Sequence, residues 1–282
     1  MLKNTVSFIS IIFTLLLFLA ATSLSAKEIS QIDKAKWELG LGVGGLSMPH
    51  YRGSDQRAEY IAPIPYLRYS GKRLKIDREG GRFYFYNSDE IKVDVSLAFA
   101  VQVDSEDNRA RVGMTDLANV IEVGPRIQFN LFQSEDKNLR IRFAAPLRTA
   151  YATDFEHTQN IGLVFSPYLQ LRYFNTGWES SVSLGPMWAD EEYHDYFYEI
   201  APQYVTGTRA AYDAESGYSG SRITLTLSKR FDKLYFGLFA RYDDLSAASF
   251  IDSPLVKQKD SFMIGAALSW VFKTSNKRTQ YR

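Results

Sequence analysis

The chain has 282 residues, of which 45% are hydrophobic and 23% are charged, and its formal net charge is +1. This composition excludes a helical membrane protein, which needs repeated apolar runs of about 20 residues, and the balanced charge provides no basic patch for nucleic acid. Cysteine is absent, which excludes disulfides, thiolate metal sites and lipidation of an N-terminal cysteine.

The N-terminus predicts a cleaved secretory signal peptide over residues 1–26. Lys3 precedes an apolar core over residues 6–21, and small residues close that core, which is the pattern of an export leader. The alternative is a permanent N-terminal anchor. Cleavage near Ala26 would leave residues 27–36 as a periplasmic segment ahead of the first strand.

The stretch IKVDVSLAFAVQVD (Ile91–Asp104) alternates apolar and polar residues without a break. A period of two predicts a strand with one dry face and one wet face. Ordinary strands have about 5–6 residues, whereas crossing a bilayer at a tilt takes about 9–11. The predicted lipid-facing residues are Val95, Leu97 and Phe99, and the predicted lumen-facing residues are Lys92, Asp94 and Gln102.

The same alternation recurs along the chain and predicts an all-β fold of about twelve strands. The third and fourth predicted strands are too short to cross a bilayer. The predicted strands cover residues 37–46, 58–69, 73–78, 81–86, 91–104, 119–132, 139–152, 161–174, 178–189, 221–230, 234–245 and 261–272.

Short connections alternate with long ones, which is typical of an outer-membrane barrel with short periplasmic turns and long outer loops. An even strand number returns both ends of the chain to the periplasm. We therefore predict a closed antiparallel transmembrane β-barrel over residues 37–272 and a periplasmic C-terminal tail over 273–282. A soluble exported β-sandwich is the alternative, because its strands would alternate as well. The predicted outer loops cover residues 47–57, 105–118, 153–160, 190–220 and 246–260.

Aromatic residues support the barrel because they favour the headgroup zone, where the ring is buried and its polar edge stays wet. Those expected near the periplasmic ends of strands are Trp37, Tyr69, Phe132, Tyr173, Trp178, Tyr235, Trp270 and Phe272.

Several short motifs resemble the MltA-interacting protein family, also called MipA/OmpV. They are GLGVGGLSMPHYRGSD (Gly40–Asp55), PIPYLRY (Pro63–Tyr69), VGPRI (Val123–Ile127), YHDYFYEI (Tyr193–Ile200) and DSPLV (Asp252–Val256). The resemblance implies a Gram-negative outer-membrane barrel. It also implies a scaffold that joins a periplasmic murein hydrolase, a lytic transglycosylase, to a penicillin-binding protein. No catalytic residues and no cofactor come with it.

The C-terminus departs from the pattern of such barrels, which usually end on an aromatic residue that the barrel-assembly machinery recognises. Here Phe272 is followed by KTSNKRTQYR (Lys273–Arg282). Either Phe272 is recognised at an internal position or the tail is a local extension. The departure concerns the assembly signal and leaves the predicted fold unchanged.

Charged residues occupy the predicted lumen face of several strands. One interpretation is an anion-preferring constriction, because guanidinium groups stay charged and bind carboxylate or phosphate through a fork. The other, which we favour, is that these charges pair across the barrel and plug it. The candidate residues are Arg126, Arg140, Arg142, Arg148, Arg172, Asp94, Glu122 and Glu179.

Three histidines fall in predicted outer loops, namely His50, His157 and His194. Beside neighbouring carboxylates they could suggest a surface hydrolase or a metal site. No spacing fixes three ligands on one rigid element, and GYSG (Gly217–Gly220) does not complete the G-x-S-x-G pattern of a nucleophile elbow. We therefore expect no enzyme, no metal and no cofactor. The first loop, MPHYRGSD, is expected to be a tight turn over the barrel mouth; DYFYEI is expected to form either a lid or strand extensions.

The sequence as a whole predicts a non-enzymatic structural or scaffold protein of the outer membrane, embedded in lipid. A narrow, porin-like solute channel is the alternative. The short predicted turns are too small for an interface, which usually buries more than about 1,000 Å². Any periplasmic partner is therefore expected to dock on residues 27–36 and on the tail at 273–282.

Overall fold

The computed structural model describes residues 34–77, 80–101, 104–154 and 156–279. The predicted signal peptide and most of the segment at 27–36 lie outside these residues. The helical elements are α1 (Glu191–Tyr198) and a 3₁₀ turn (Pro202–Tyr204). The strands are β1 (Lys34–Ala35), β2 (Trp37–Pro49), β3 (Arg57–Ser70), β4 (Leu74–Asp77), β5 (Gly80–Asn87), β6 (Ile91–Ala100), β7 (Asn119–Gln133), β8 (Leu139–Thr153), β9 (Thr158–Phe165), β10 (Tyr168–Asn175), β11 (Trp178–Ala189), β12 (Gly217–Phe231), β13 (Leu234–Asp244), β14 (Asp260–Thr274) and β15 (Arg278–Thr279).

Strands β2 to β14 form a closed antiparallel barrel. Apart from β9 and β10, strands that follow one another in sequence pair with one another around the sheet, and β14 pairs with β2 to complete the ring. Strands β9 and β10 share one position between β8 and β11. The barrel therefore has twelve strand positions, and the predicted all-β fold with an even strand count is confirmed. The short strands β1 and β15 form a separate two-stranded sheet.

The predicted strand at 161–174 is interrupted, and β9 ends at Phe165 before β10 begins at Tyr168. Pro167 lies in the break and has no backbone N–H to donate to the ladder. Gly185 on β11 faces this point, and a Cβ there would lie 1.9 Å from the carbonyl oxygen of Pro167. A glycine is therefore required where the broken strand approaches its neighbour.

The hairpin of β4 and β5 is too short to span the wall, as the sequence predicts. β3 pairs with β4 only at Tyr69 and Ser70. Within the described residues, the part of β3 farther from that turn has β2 as its only paired neighbour. Pro63 and Pro65 lie in that part, and each removes a backbone donor that an edge would otherwise leave unpaired.

The two ends of the barrel differ, and we name them by their connections. The turn end carries the short links that follow β3, β5, β7, β10 and β12, together with β1 and β15. The loop end carries the long links, which cover residues 50–56, 101–118, 190–216 and 245–259. Strand β6 ends at Ala100, short of the predicted end at Asp104, and the predicted lumen residue Gln102 lies outside the described residues.

The outer surface of the barrel carries an apolar belt. Leu97 and Phe99 are 53% and 62% exposed, whereas Asp94 on the opposite face of β6 is fully buried. A closed barrel pairs the backbone internally, which the bilayer requires, and an apolar belt needs lipid to cover it. This is the architecture of an outer-membrane protein. Other exposed belt residues are Leu41, Val43, Ile61, Phe85, Leu131, Leu171, Leu184 and Leu268.

Aromatic residues border the belt at the turn end, where Trp270 and Phe272 are more than half exposed with ring centroids 6.1 Å apart. Tyr235 departs from the prediction. It lies on the same strand face as Gly237, which pairs with the inward Ser228, and its ring contacts that of Tyr66 at 5.1 Å. Neighbouring positions along a strand point to opposite faces of the sheet. Tyr235 therefore faces the lumen and not the lipid.

Candidate functional site

Four loops at the loop end pack into an apolar cluster that we call the cap. The rings of Tyr198 and Phe250 stack 3.7 Å apart at an interplanar angle of 7°. Leu245, Phe250 and Leu255 are fully buried although all three lie in one long loop. Buried loop residues far apart in sequence thus form a small core of their own. The cap comprises Tyr51, Leu117, Tyr198, Ile200, Ala214, Leu245, Ala248, Phe250 and Leu255.

Hydrogen bonds connect the cap loops to one another. The Tyr51 hydroxyl donates to the carbonyl oxygen of Leu255 at 2.8 Å, and burial raises the pKa of Tyr51 to about 12. The Tyr198 hydroxyl donates to the carbonyl of Arg52 at 3.0 Å. Arg209 donates to the carbonyls of Ala110 and Val112. Each bond joins two different loops, so the cap behaves as one packed layer.

Helix α1 is an element that the sequence analysis missed. Asp190 is its N-cap and accepts from the backbone N–H of Tyr193 at 3.1 Å. The second carboxylate oxygen of Asp190 accepts from Leu163 N–H at 2.8 Å, which anchors the helix to β9. The sequence did contain a signal for a helix start here, because an N-cap aspartate precedes two acidic residues in the first turn. Of the two options for DYFYEI, the structure therefore has the lid.

The helix closes over the barrel at Gly162, whose φ is +110°. A Cβ at this position would lie 2.1 Å from Oδ1 of Asp190 and 2.7 Å from the backbone nitrogen of Tyr193. Only glycine leaves room for the helix N-terminus here. Below the helix, Tyr193 packs against Val120, Ala150 and other buried residues of the barrel wall.

The centre of the lumen is occupied by a buried ion pair. Arg126 binds both carboxylate oxygens of Asp94, at 2.9 and 3.0 Å, and Gln128 donates to the same carboxylate at 2.5 Å. Asp94 is fully buried and Arg126 is 7% exposed. Such a bidentate pair is strong when every acceptor is satisfied.

Nearer the cap, two further networks fill the lumen. Arg148 pairs with Glu122 at 3.4 Å and donates to Ser96 at 2.7 Å, while the Tyr193 hydroxyl of the lid donates to Glu122. Asp243 sits among three arginines, which lie at 2.6 to 3.5 Å from its carboxylate oxygens. These arginines are Arg52, Arg222 and Arg241.

Toward the turn end the lumen becomes strongly cationic, and we call this region the basic vestibule. Arg172 pairs with Glu179 at 3.3 Å, and Lys75 pairs with Asp77 at 3.6 Å. Arg140 and Arg172 stand directly opposite each other on β8 and β10. The cations of the vestibule are Lys75, Arg82, Lys92, Arg140, Arg142 and Arg172.

All eight charged residues of the predicted lumen set lie on the inward face of the barrel. The structure divides them by height: Asp94 with Arg126 at the centre, Glu122 with Arg148 below the cap, and the other four in the vestibule. Sequence analysis missed Lys75 and Arg82, which lie on the short hairpin of β4 and β5, and the three arginines around Asp243, of which Arg52 lies in a loop.

His194 and Ser219 form a pair that resembles a base and a nucleophile. Ser219 Oγ lies 2.5 Å from His194 Nε2, and His194 Nδ1 lies 2.6 Å from the backbone carbonyl of Glu215. The carbonyl can only accept, so Nδ1 carries the proton and Ser219 donates to Nε2. Both side chains are fully buried. The pair therefore stabilises the cap by joining helix α1 to residues 215–219. In this conformation a substrate cannot contact it.

The other two histidines lie apart from this pair. His50 Nδ1 lies 3.1 Å from the side-chain amide of Asn108, and His157 is 87% exposed beside Asp154. Within the described residues, no group of three histidine, aspartate or glutamate side chains is arranged to hold a metal ion.

Comparison with known proteins finds relatives over nearly the whole barrel. The profile of the family described as "MltA-interacting protein MipA" matches residues 41–272. The MltA-interacting protein of Escherichia coli (strain K12) is 26% identical over 248 residues, which cover 85% of this chain and 91% of that protein, and the protein of Shigella flexneri gives the same values.

Two solved outer-membrane barrels resemble this chain remotely. An outer membrane channel from Pseudomonas putida F1 is 11% identical with a TM-score of 0.43, covering 88% of this chain and all of that one. The outer membrane protease OmpT of Escherichia coli is 8% identical with a TM-score of 0.32, covering 84% and 96%. Likeness at this level carries no inference about function.

The central ion pair yields a stability prediction. Asp94→Asn strands the charge of Arg126 in a buried site, which costs about 3–5 kcal/mol. Adding Arg126→Met removes the stranded charge and should recover much of that loss. Urea unfolding in detergent measures both, with the exposed turn change Asp89→Asn as control. A loss for Asp94→Asn no larger than for the control would contradict the assignment.

The cap yields a pH prediction. Burial holds the pKa of His194 below its ordinary value of 6.5, so the unfolded chain binds the proton first as the pH falls. Stability contributed by neutral His194 is therefore complete above pH 6.5 and is lost as the pH falls below it. His194→Asn should flatten the decline in urea midpoint between pH 7.5 and 5.5. His157→Asn, at an exposed site, should keep the wild-type decline; an equal decline in all three proteins would refute the assignment.

Proposed function

This chain belongs to the MltA-interacting protein family, and on that premise we propose that it is a non-enzymatic scaffold of the outer membrane. Its relatives at 26% identity are named for an interaction with MltA. We extend this kind of interaction to the present chain: it holds a periplasmic murein hydrolase, and with it a penicillin-binding protein, at the membrane surface.

The filled lumen is the observation that carries this proposal. In an open lumen, inward-facing side chains would be exposed to water. Asp94, Ala150 and Asp243 face inward and are at most 2% exposed, and the cap packs over them. A channel of this barrel size would need a continuous wet path along the lumen. Ion pairs and a packed lid favour a structural role over the alternative, a solute channel.

The enzyme alternative has weak support for a related reason. The serine–histidine pair is the arrangement in the described residues closest to a catalytic one, and it is sealed within the cap. A nucleophile that a substrate cannot reach does no chemistry. We therefore infer a role in binding rather than in catalysis.

The turn end is the surface we assign to the periplasm, following the rule that outer-membrane barrels have short periplasmic turns. An open groove of about 490 Å³ lies there. Lys36 N–H donates to the carbonyl of Lys277, and Ser275 N–H donates to that of Trp37, both at 2.9 Å. These bonds hold the two terminal segments against each other at the rim. The groove is lined by Lys36, Trp37, Tyr69, Lys273, Thr274, Ser275, Asn276 and Lys277.

Three lysines and two aromatic rings give this groove its chemistry. Lys36 lies over the Tyr69 ring at 5.8 Å, and Lys273 and Lys277 are exposed. Such a surface complements an acidic segment of a partner, and complementary charge raises the association rate and fixes orientation. We infer that the partner docks on this rim, because the remaining turns offer little area.

Charge reversal at the groove tests the docking proposal. Changing Lys36, Lys273 and Lys277 to Glu should weaken binding to the purified murein transglycosylase of the same bacterium by about tenfold or more. Binding is measured by biolayer interferometry with the barrel in nanodiscs.

The matched control reverses three exposed cations at the loop end, Arg109, Lys257 and Lys259, and should bind as the wild type does. Electrophoresis with and without boiling checks that both variants remain folded. Unchanged affinity in the groove variant would refute docking on this rim, and absence of binding by the wild type would refute the scaffold role.

A further inference from the structure

Arg142 is a buried guanidinium group without a counter-ion in the described part of the chain. It is 7% exposed, and its Nε and Nη2 atoms are buried without a hydrogen-bond partner. Its direct neighbours across the ladder are Asn130 on β7 and Gln170 on β10, and both are neutral. By contrast, Arg126 and Arg222 each contact a carboxylate.

The surroundings of Arg142 increase the unbalanced charge. Among the described residues, the carboxylates that form ion pairs with cations of the basic vestibule are Asp77 and Glu179. Asp77 already pairs with Lys75 and Arg82, and Glu179 already pairs with Arg172. Lys92 lies on β6, which β7 separates from β8, and the positive charges that act on it include those of Arg142 and Lys75. Within the part of the chain that the structure describes, neither of these carboxylates pairs with Arg142.

This arrangement is costly without a ligand. A buried charge without a partner loses its hydration and gains nothing in return, and like charges directly opposite in a sheet repel each other. An anion that supplies the missing negative charge would offset both costs. The vestibule is also reachable from the turn end, since Lys75, Lys92 and Arg140 keep part of their surface exposed.

We propose that the basic vestibule binds a small oxyanion bearing carboxylate or phosphate groups, with Arg142 as its principal donor. A guanidinium group offers two parallel N–H donors that match either group, and Lys92 on β6 and Lys75 on β4 add charge from other parts of the barrel wall. The site lies below the central Asp94–Arg126 pair, so the anion enters and leaves by the turn end. This proposal is independent of partner docking at the rim.

Thermal unfolding of the detergent-solubilised protein tests the site. The probes are inorganic phosphate and malonate, each compared with sodium chloride at the same ionic strength. At ten times its dissociation constant, a bound anion raises the midpoint by about 3–6 °C for a chain of this size. A response to phosphate alone assigns a phosphoryl ligand, and a response to malonate assigns a carboxylate.

The variant Arg142→Met separates binding from structural support. It should lose the response to both probes, and in chloride alone its midpoint should equal or exceed that of the wild type, because an unpaired buried charge is gone. Arg109→Met, at a side chain that is 76% exposed, should keep the full response. The proposal is overturned if neither anion acts beyond chloride, if Arg142→Met still responds, or if Arg142→Met is less stable in chloride.

Discussion

The requirement that every backbone N–H and C=O be paired inside hydrocarbon determines the rest of this structure. It closes the sheet into a ring, and closure places alternate side chains in an interior that lipid cannot reach. The polar half of each alternating strand is thereby forced into a narrow space. Charges in that space must pair or bind ligands, and most of them pair, as Asp94 does with Arg126.

The strands and their faces could be predicted from the sequence because alternation is a local property. Leu97 and Asp94 fall on opposite faces by spacing alone, and the even number of strands follows from counting alternating segments. The break at Pro167 and the short β4–β5 hairpin also have local causes. The pairing of inward charges could not be predicted from the sequence, because it depends on the register between neighbouring strands. Asp94 lies opposite Arg126 across β6 and β7, whereas Arg142 lies opposite the neutral Asn130.

The cap illustrates the same limit more strongly. Its members come from four loops, and contacts such as Tyr51 with Leu255 span about two hundred residues. Loops have no period that reveals such contacts. Three of the short motifs that carry the family resemblance, around Tyr51, Tyr198 and Leu255, converge there. Their common role is to build the closure of the barrel, which a motif read alone does not disclose.

We infer that paired charges and the packed cap seal this barrel along its axis. Single-channel recording in planar lipid bilayers tests it most directly, with the purified protein shown by electrophoresis without boiling to be folded. We expect no stable ohmic steps at moderate voltage, because the central ion pair and the cap obstruct the lumen. Large, long-lived ohmic steps from the wild-type protein would show instead that the lumen is open and that the molecule is a channel.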